Sequence, residues 1–146
     1  MVTVVKVENS ITLVLDSATN DEVKCLYQRL GGQGTKTLHD GANNNYQIPV
    51  GKKFIGNYLY VQAPEGGNTE FLLYDSASTD SATGTQLIAD GFRLLNSAQT
   101  SCEFPVYFEV AAGRYINYRE ADAGTSSVTL IGVLTDAWFR TFWFTR

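Results

Sequence analysis

Apolar and polar residues alternate with a period of two along most of this chain. In Ile11-Thr12-Leu13-Val14-Leu15, positions 11, 13 and 15 point one way. In Val106-Tyr107-Phe108-Glu109-Val110, Val106, Phe108 and Val110 form an apolar face, with Tyr107 and Glu109 opposite. Such alternation marks a half-buried strand. Residues 128–134 are apolar on both faces, through Leu130 and Leu134 on one side and Ile131 and Val133 on the other, which predicts a central strand covered twice. The pattern places strands at 2–7, 10–15, 23–30, 35–39, 53–62, 69–75, 86–89, 105–110, 114–119, 127–134 and 138–144. Gly-rich turns separate them, at 31–34, 41–45, 64–68 and 122–124. The expected fold is all-β: a single domain over residues 1–146, an antiparallel β-sandwich of jelly-roll type. Its core should include Leu13, Leu59, Val61, Leu72, Phe108, Val110, Leu130 and Val133.

One segment supports two readings. Thr19-Asn20-Asp21-Glu22 has the form of a capping box, and Val23, Leu26, Tyr27 and Leu30 follow at i, i+3, i+4 and i+7 before Gly31. Alone, residues 20–30 read as a helix. Beside the rest of the chain they read as a strand, because a segment at Leu26-Tyr27, a Gly-rich turn and Thr35 to Asp40 parallels Leu59-Tyr60, a turn and Thr69 to Asp75. A weaker copy runs from Asn117-Tyr118 through Gly124 to Asp136. A reused hairpin accounts for the repetition.

Composition narrows the class. The 146 residues include 15 Thr, 9 Ser and 9 Asn, and only 18% are charged, so much of the surface is neutral and polar. The net charge is −4 with no basic run, which argues against nucleic acid as a partner. No apolar stretch is long enough to span a membrane as a helix. Lys6 and Glu8 break the N-terminal apolar run, so no signal peptide is expected.

The chemistry-bearing residues do not form a catalytic pattern. His39 is the single histidine, it precedes a turn, and no Gly-x-Ser-x-Gly elbow accompanies it. Gly31-Gly32-Gln33-Gly34-Thr35-Lys36 lacks the spacing of a phosphate loop. Asp75 and Asp80 lack the ligand spacing of a calcium loop. Cys25 and Cys102 show no metal-ligand spacing and are expected to behave as small buried hydrophobes, with a disulfide as the alternative. No enzyme, cofactor or metal is expected.

The aromatics carry more information. Tyr58, Tyr60 and Gln62 share the face opposite Leu59 and Val61 and are a candidate ligand or partner face, for a sugar ring or a protein. Near the C-terminus, Trp138, Phe139, Arg140, Phe142, Trp143 and Phe144 put aromatics on both faces of one segment. They form either a subunit interface, for which Trp, Phe and Arg are suited, or an internal core strand.

Two stretches resemble virion proteins of tailed bacteriophages. One is Tyr46-Gln47-Ile48-Pro49-Val50-Gly51-Lys52-Lys53-Phe54 with Phe71-Leu72-Leu73-Tyr74-Asp75. The other is the run from Pro105 to Tyr115 with Ser127 to Val133, where Ala111 stands in place of the first copy's proline. The resemblance, to small β-sandwich modules of head-decoration, cement and tail-fibre proteins, implies a non-enzymatic virion protein assembled in the host cytoplasm. It implies binding to a major capsid or other virion protein, and self-association as a homo-oligomer, with a trimer favoured by analogy. The rival function is a receptor-binding tail protein or a carbohydrate-binding module, whose glycan would use the tyrosine face.

Overall fold

The computed structural model describes residues 2–7, 11–41, 44–63, 69–88, 92–94, 101–121 and 124–137. Among these, the strands are β1 (Val2–Val7), β2 (Ile11–Asp16), β3 (Glu22–Leu30), β4 (Gly34–Thr37), β5 (Lys52–Gln62), β6 (Thr69–Ser76), β7 (Thr85–Gln86), β8 (Phe92–Leu94), β9 (Ser101–Val110), β10 (Tyr115–Glu120) and β11 (Ser126–Asp136). One sheet runs β3-β11-β5-β9, all antiparallel. The other runs β4-β10-β6-β7, with β8 also pairing β6. β1 and β2 form a separate hairpin.

The two larger sheets bury one core. Leu26, Phe54, Leu59, Val61, Phe108, Val110, Leu130 and Leu134 enter it from the first sheet, and Phe71, Leu73, Ile116 and Tyr118 from the second. The interleaved strand order of two such sheets is that of a jelly roll. All eight expected core residues are buried. Leu13 and Val133, however, belong to a second cluster with Tyr58 and Ile131, on the far side of the first sheet. The double covering expected of residues 128–134 is thus present: the sandwich lies against one face of β11 and the hairpin against the other.

Residues 22–30 are strand, in register with β11 from Leu30 opposite Ser126 to Glu22 opposite Leu134. The cap-like residues build a turn instead of a helix start. Asp21 accepts hydrogen bonds from the Asp16 backbone N–H (2.8 Å) and the Thr19 hydroxyl (2.6 Å), closing a 3-10 turn over Ser17–Thr19. Asn20 takes the left-handed conformation there, at φ 51°.

The repeated hairpin is corrected. β3 and β4, β5 and β6, and β10 and β11 are consecutive, but the two members of each pair lie in different sheets. What repeats is a crossover from sheet to sheet, made wherever a Gly-rich turn follows a strand. The expected strand at 138–144 lies outside the described residues.

β5 shows why its register shifts. Phe54 and Leu59 both face the main core although an odd number of positions separates them. Strict alternation forbids that, so the strand must carry a bulge, and the register with β9 shifts between Gly56 and Tyr58.

Candidate functional site

The outer face of the β3-β11-β5-β9 sheet has two halves. Over one half the hairpin packs Leu13 onto Tyr58, Ile131 and Val133, with Leu15 and Val23 at the margin. An isolated two-stranded hairpin is marginal in water. This small cluster is therefore what docks it. Leu13→Ala is expected to cost about 2–3 kcal/mol. Hydrogen exchange should then quicken in β1 and β2 at least tenfold while β11 stays protected.

The other half is polar and aromatic. Thr129 lies opposite Tyr27 on one side and Tyr60 on the other, and Ser127 lies opposite Arg29 and Gln62. Two rows therefore cross three strands: Tyr27, Thr129, Tyr60, and next to it Arg29, Ser127, Gln62. Tyr27, Arg29 and Gln62 are exposed, and Tyr60, Ser127 and Thr129 are half-buried. Tyr27 is held from behind. Its backbone exchanges two 2.9 Å hydrogen bonds with His39, and the two rings meet edge-on at 5.7 Å. A cavity of about 180 Å³ opens here, lined by Tyr27, Arg29, Gln62, Thr125, Ser126 and Ser127.

The predicted tyrosine face is thereby partly corrected. Tyr60 is half-buried and Gln62 exposed, but Tyr58 is only 8% exposed, because the hairpin covers it. Tyr27 and Arg29 went unnoticed; their signal was that they alternate with the inward Leu26 and Leu30 on β3. Trp138, Phe139, Arg140, Phe142, Trp143 and Phe144 lie outside the described residues. Ala137, just before them, donates its backbone N–H to Gly51 O at 3.0 Å.

A second exposed feature is apolar. Val4 pairs with Val14 on the outward face of the hairpin, and Val2, Val4 and Val14 are each about 60% exposed. Tyr107, 70% exposed, stands beside Val14 at the rim of a cavity between hairpin and sheet.

The outer face of the second sheet carries a polar clasp. Asn117 and Thr37 are register partners, both fully buried, and the Thr37 hydroxyl donates to Asn117 Oδ1 at 2.7 Å. Asn117 Nδ2 donates to the carbonyls of Ser78 (2.9 Å) and Ser81 (2.7 Å). The backbone N–H of Thr37 donates to Asp80 Oδ1, and that of Asp80 to Thr37 Oγ1, both at 2.9 Å. The polar loop 77–84 is thus fastened to the sheet.

The titratable groups serve this framework. Burial pushes the Tyr118 phenol far above its usual range, against the opposing effect of its 2.8 Å hydrogen bond to Ser126 Oγ. Burial tends to lower the Lys24 ammonium, but Glu22 at 3.3 Å and Asp40 at 3.4 Å outweigh it and raise it. Lys52 at 2.6 Å, with Asn20, holds the Asp136 carboxyl below its ordinary value. Among the described residues no three His, Cys, Asp or Glu side chains converge as a metal site. Cys25 is exposed, correcting its expected burial, and Cys102 is half-buried. They lie on the two edge strands of one sheet, three strand spacings apart, roughly 14 Å, beyond the reach of a disulfide.

No protein-family model matches the chain. No curated protein sequence matches it. Solved structures do. The chain is similar to the cyanophage Pam1 capsid asymmetric unit, at 12% identity and a TM-score of 0.43, over 80% of this chain and 85% of that one. It is similar to the nucleoplasmin-like N-terminal domain of Drosophila FKBP39, at 16% identity and 0.40, over 78% and 90%. It is similar to a chain of infectious bursal disease virus, Gx strain, at 15% identity and 0.41, and there it covers 90% of itself but 36% of the viral chain.

Proposed function

We propose that this protein is a non-enzymatic structural component of a virus particle, and more narrowly a decoration or cement protein that binds the assembled shell of a tailed bacteriophage as a homo-oligomer, a trimer in the simplest case. The fold supports the class. Jelly rolls serve in capsids, lectins and cupins. A metal-dependent jelly roll needs a set of nitrogen and oxygen ligands, and this chain has one histidine.

The observation that carries the proposal is the outward valine face of the N-terminal hairpin. Val4 and its partner Val14, with Val2 on the same strand as Val4, present apolar surface although the inward face of the same hairpin already fills its cluster. Contiguous apolar surface of this kind marks a protein contact. The neutral, Thr-rich remainder of the surface suits a component held in a crowded assembly.

The test pairs light scattering with composition analysis of purified particles. The wild type should be a homo-oligomer at tens of micromolar and should be recovered on particles. Val4→Asp with Val14→Asp should keep the far-UV spectrum and lose shell binding. Deleting residues 138–146 separates the two roles of the aromatic segment. Loss of oligomerisation in a folded chain makes it an interface, whereas unfolding makes it core. A monomeric wild type that never accompanies particles would refute the proposal. The rival tail or receptor-binding role predicts recovery with tails instead of heads.

A further inference from the structure

The polar half of the first sheet has the chemistry of a saccharide site, and its described lining comes from β3, β5, β11 and the residue before β11. We propose that the cavity between Tyr27 and Gln62 binds a single pyranose ring bearing a carboxylate, with the ring on Tyr27 and the carboxylate on Arg29. The proposal is independent of the virion role.

Three features point to this ligand. The first is the lining. One exposed aromatic face, one guanidinium, one carboxamide and the Ser127 hydroxyl converge on about 180 Å³. That is too little for the usual drug-sized ligand, whose pockets are about 300–1,000 Å³, and suits one sugar ring. Sugars present an apolar C–H face, which an aromatic ring can cover, and a rim of hydroxyls, which planar amide and guanidinium groups can address. The row spacing agrees. The cavity spans β3 to β5, two strand spacings or roughly 10 Å, with Ser127 of β11 between them as a hydroxyl-bearing floor.

The second feature is the charge. Lys24, Lys52, Lys53 and Arg114 each contact a carboxylate. Among the described residues no carboxylate lies within ion-pair distance of Arg29. Glu103, opposite Tyr60, is on β9, three strands from Arg29 and roughly 14 Å away. Among the described residues the guanidinium fork at the cavity is thus uncommitted, and a planar carboxylate is its best bidentate partner.

The third feature is rigidity. Gln28 Oε1 accepts the Arg29 backbone N–H at 2.8 Å, and Gln28 Nε2 donates to Thr37 O at 2.7 Å. This ties β3 to β4 directly behind the site. Tyr27 is braced by His39. Side chains on braced strands lose little freedom on binding, which is where small sites gain their affinity.

The experiment uses methyl β-glucuronide and methyl β-glucoside as probes, titrated into the full chain with backbone amides followed by NMR. The glucuronide should bind with a dissociation constant of about 1–10 mM, as fits a site of one ring. Its shifts should map to residues 27, 29, 62 and 127. The glucoside should bind at least about tenfold more weakly, the worth of one charge-assisted pair. Arg29→Gln should abolish the difference between the two sugars, and Tyr27→Ala should weaken both. Arg29 is exposed, so its variant should melt with the wild type, and a lowered midpoint would itself contradict the geometry. Equal binding of the two sugars, shifts that map elsewhere, or no response at about 50 mM, well above that range, would each overturn the proposal.

Discussion

Replacing Gly132 with valine is expected to lower the unfolding free energy by at least about 3 kcal/mol, the upper part of the range for overpacking. Gly132 sits in β11, the most enclosed strand, directly opposite Gly56 of β5. A Cβ built there falls deep inside the van der Waals envelope of the Ile55 carbonyl oxygen and 2.5 Å from the Phe54 ring. The ring could turn. The carbonyl is backbone of a strand laddered on both sides, so it cannot move without breaking register. Gly56 offers the comparison. The atoms nearest a Cβ there belong to the Phe108 ring, again at 2.5 Å, and a side chain can shift more readily than a backbone. Gly56→Ala should therefore cost distinctly less than Gly132→Ala. Denaturant unfolding of both variants gives the ordering, and equal costs would show that the backbone clash is relieved.

Asn117→Ala should cost about 2–4 kcal/mol, because it strips three hydrogen bonds from a buried cluster and leaves its partners behind. The Thr37 hydroxyl loses its acceptor, and the carbonyls of Ser78 and Ser81 lose their donor. The loss has a local signature. Loop 77–84 would keep its attachments through Asp80 and the Ser78 N–H bond to Ser76 Oγ but lose both carbonyl anchors, so proteolytic nicking there should rise by an order of magnitude or more. Thermal melting reads the first effect and limited proteolysis the second. A variant that melts early with its loop still resistant would show that the clasp contributes stability without holding the loop.

Much of the architecture was legible in the alternation, and the misleading parts have physical causes. Residues 23, 26, 27 and 30 imitate a helix because both faces of β3 are apolar. Leu26 and Leu30 face the main core, while Val23 and Tyr27 face outward. Two period-two sets offset by an odd number look like one helical stripe. The first half of β9 was missed although Cys102, Phe104, Val106, Phe108 and Val110 alternate. Pro105 interrupts that run, yet it stands on an edge strand opposite Tyr58, next to the register shift, where a proline is tolerated. Tyr58 does lie on the face opposite Leu59 and Val61, but that face is not wet there, and no local pattern announces that a hairpin some forty residues earlier covers it. Arg29 and Ser127 become neighbours of Gln62 only through the register of three strands. Such neighbourhood is a property of topology, and no spacing along the chain encodes it.

The crossovers also decide how this chain can acquire its structure. In the β3-β11-β5-β9 sheet, no two paired strands are consecutive in the chain. β3 ends at Leu30 and its partner begins at Ser126, so their ladder closes a loop of nearly a hundred residues. Loop closure must be met before such contacts return any energy, and topologies of this kind fold in milliseconds to seconds instead of microseconds. During synthesis, β3 and β5 leave the ribosome well before β11, the strand that separates them. Until residues 126–136 arrive, each carries an open edge towards the other, and that interval is when a neighbouring nascent chain could pair in its place.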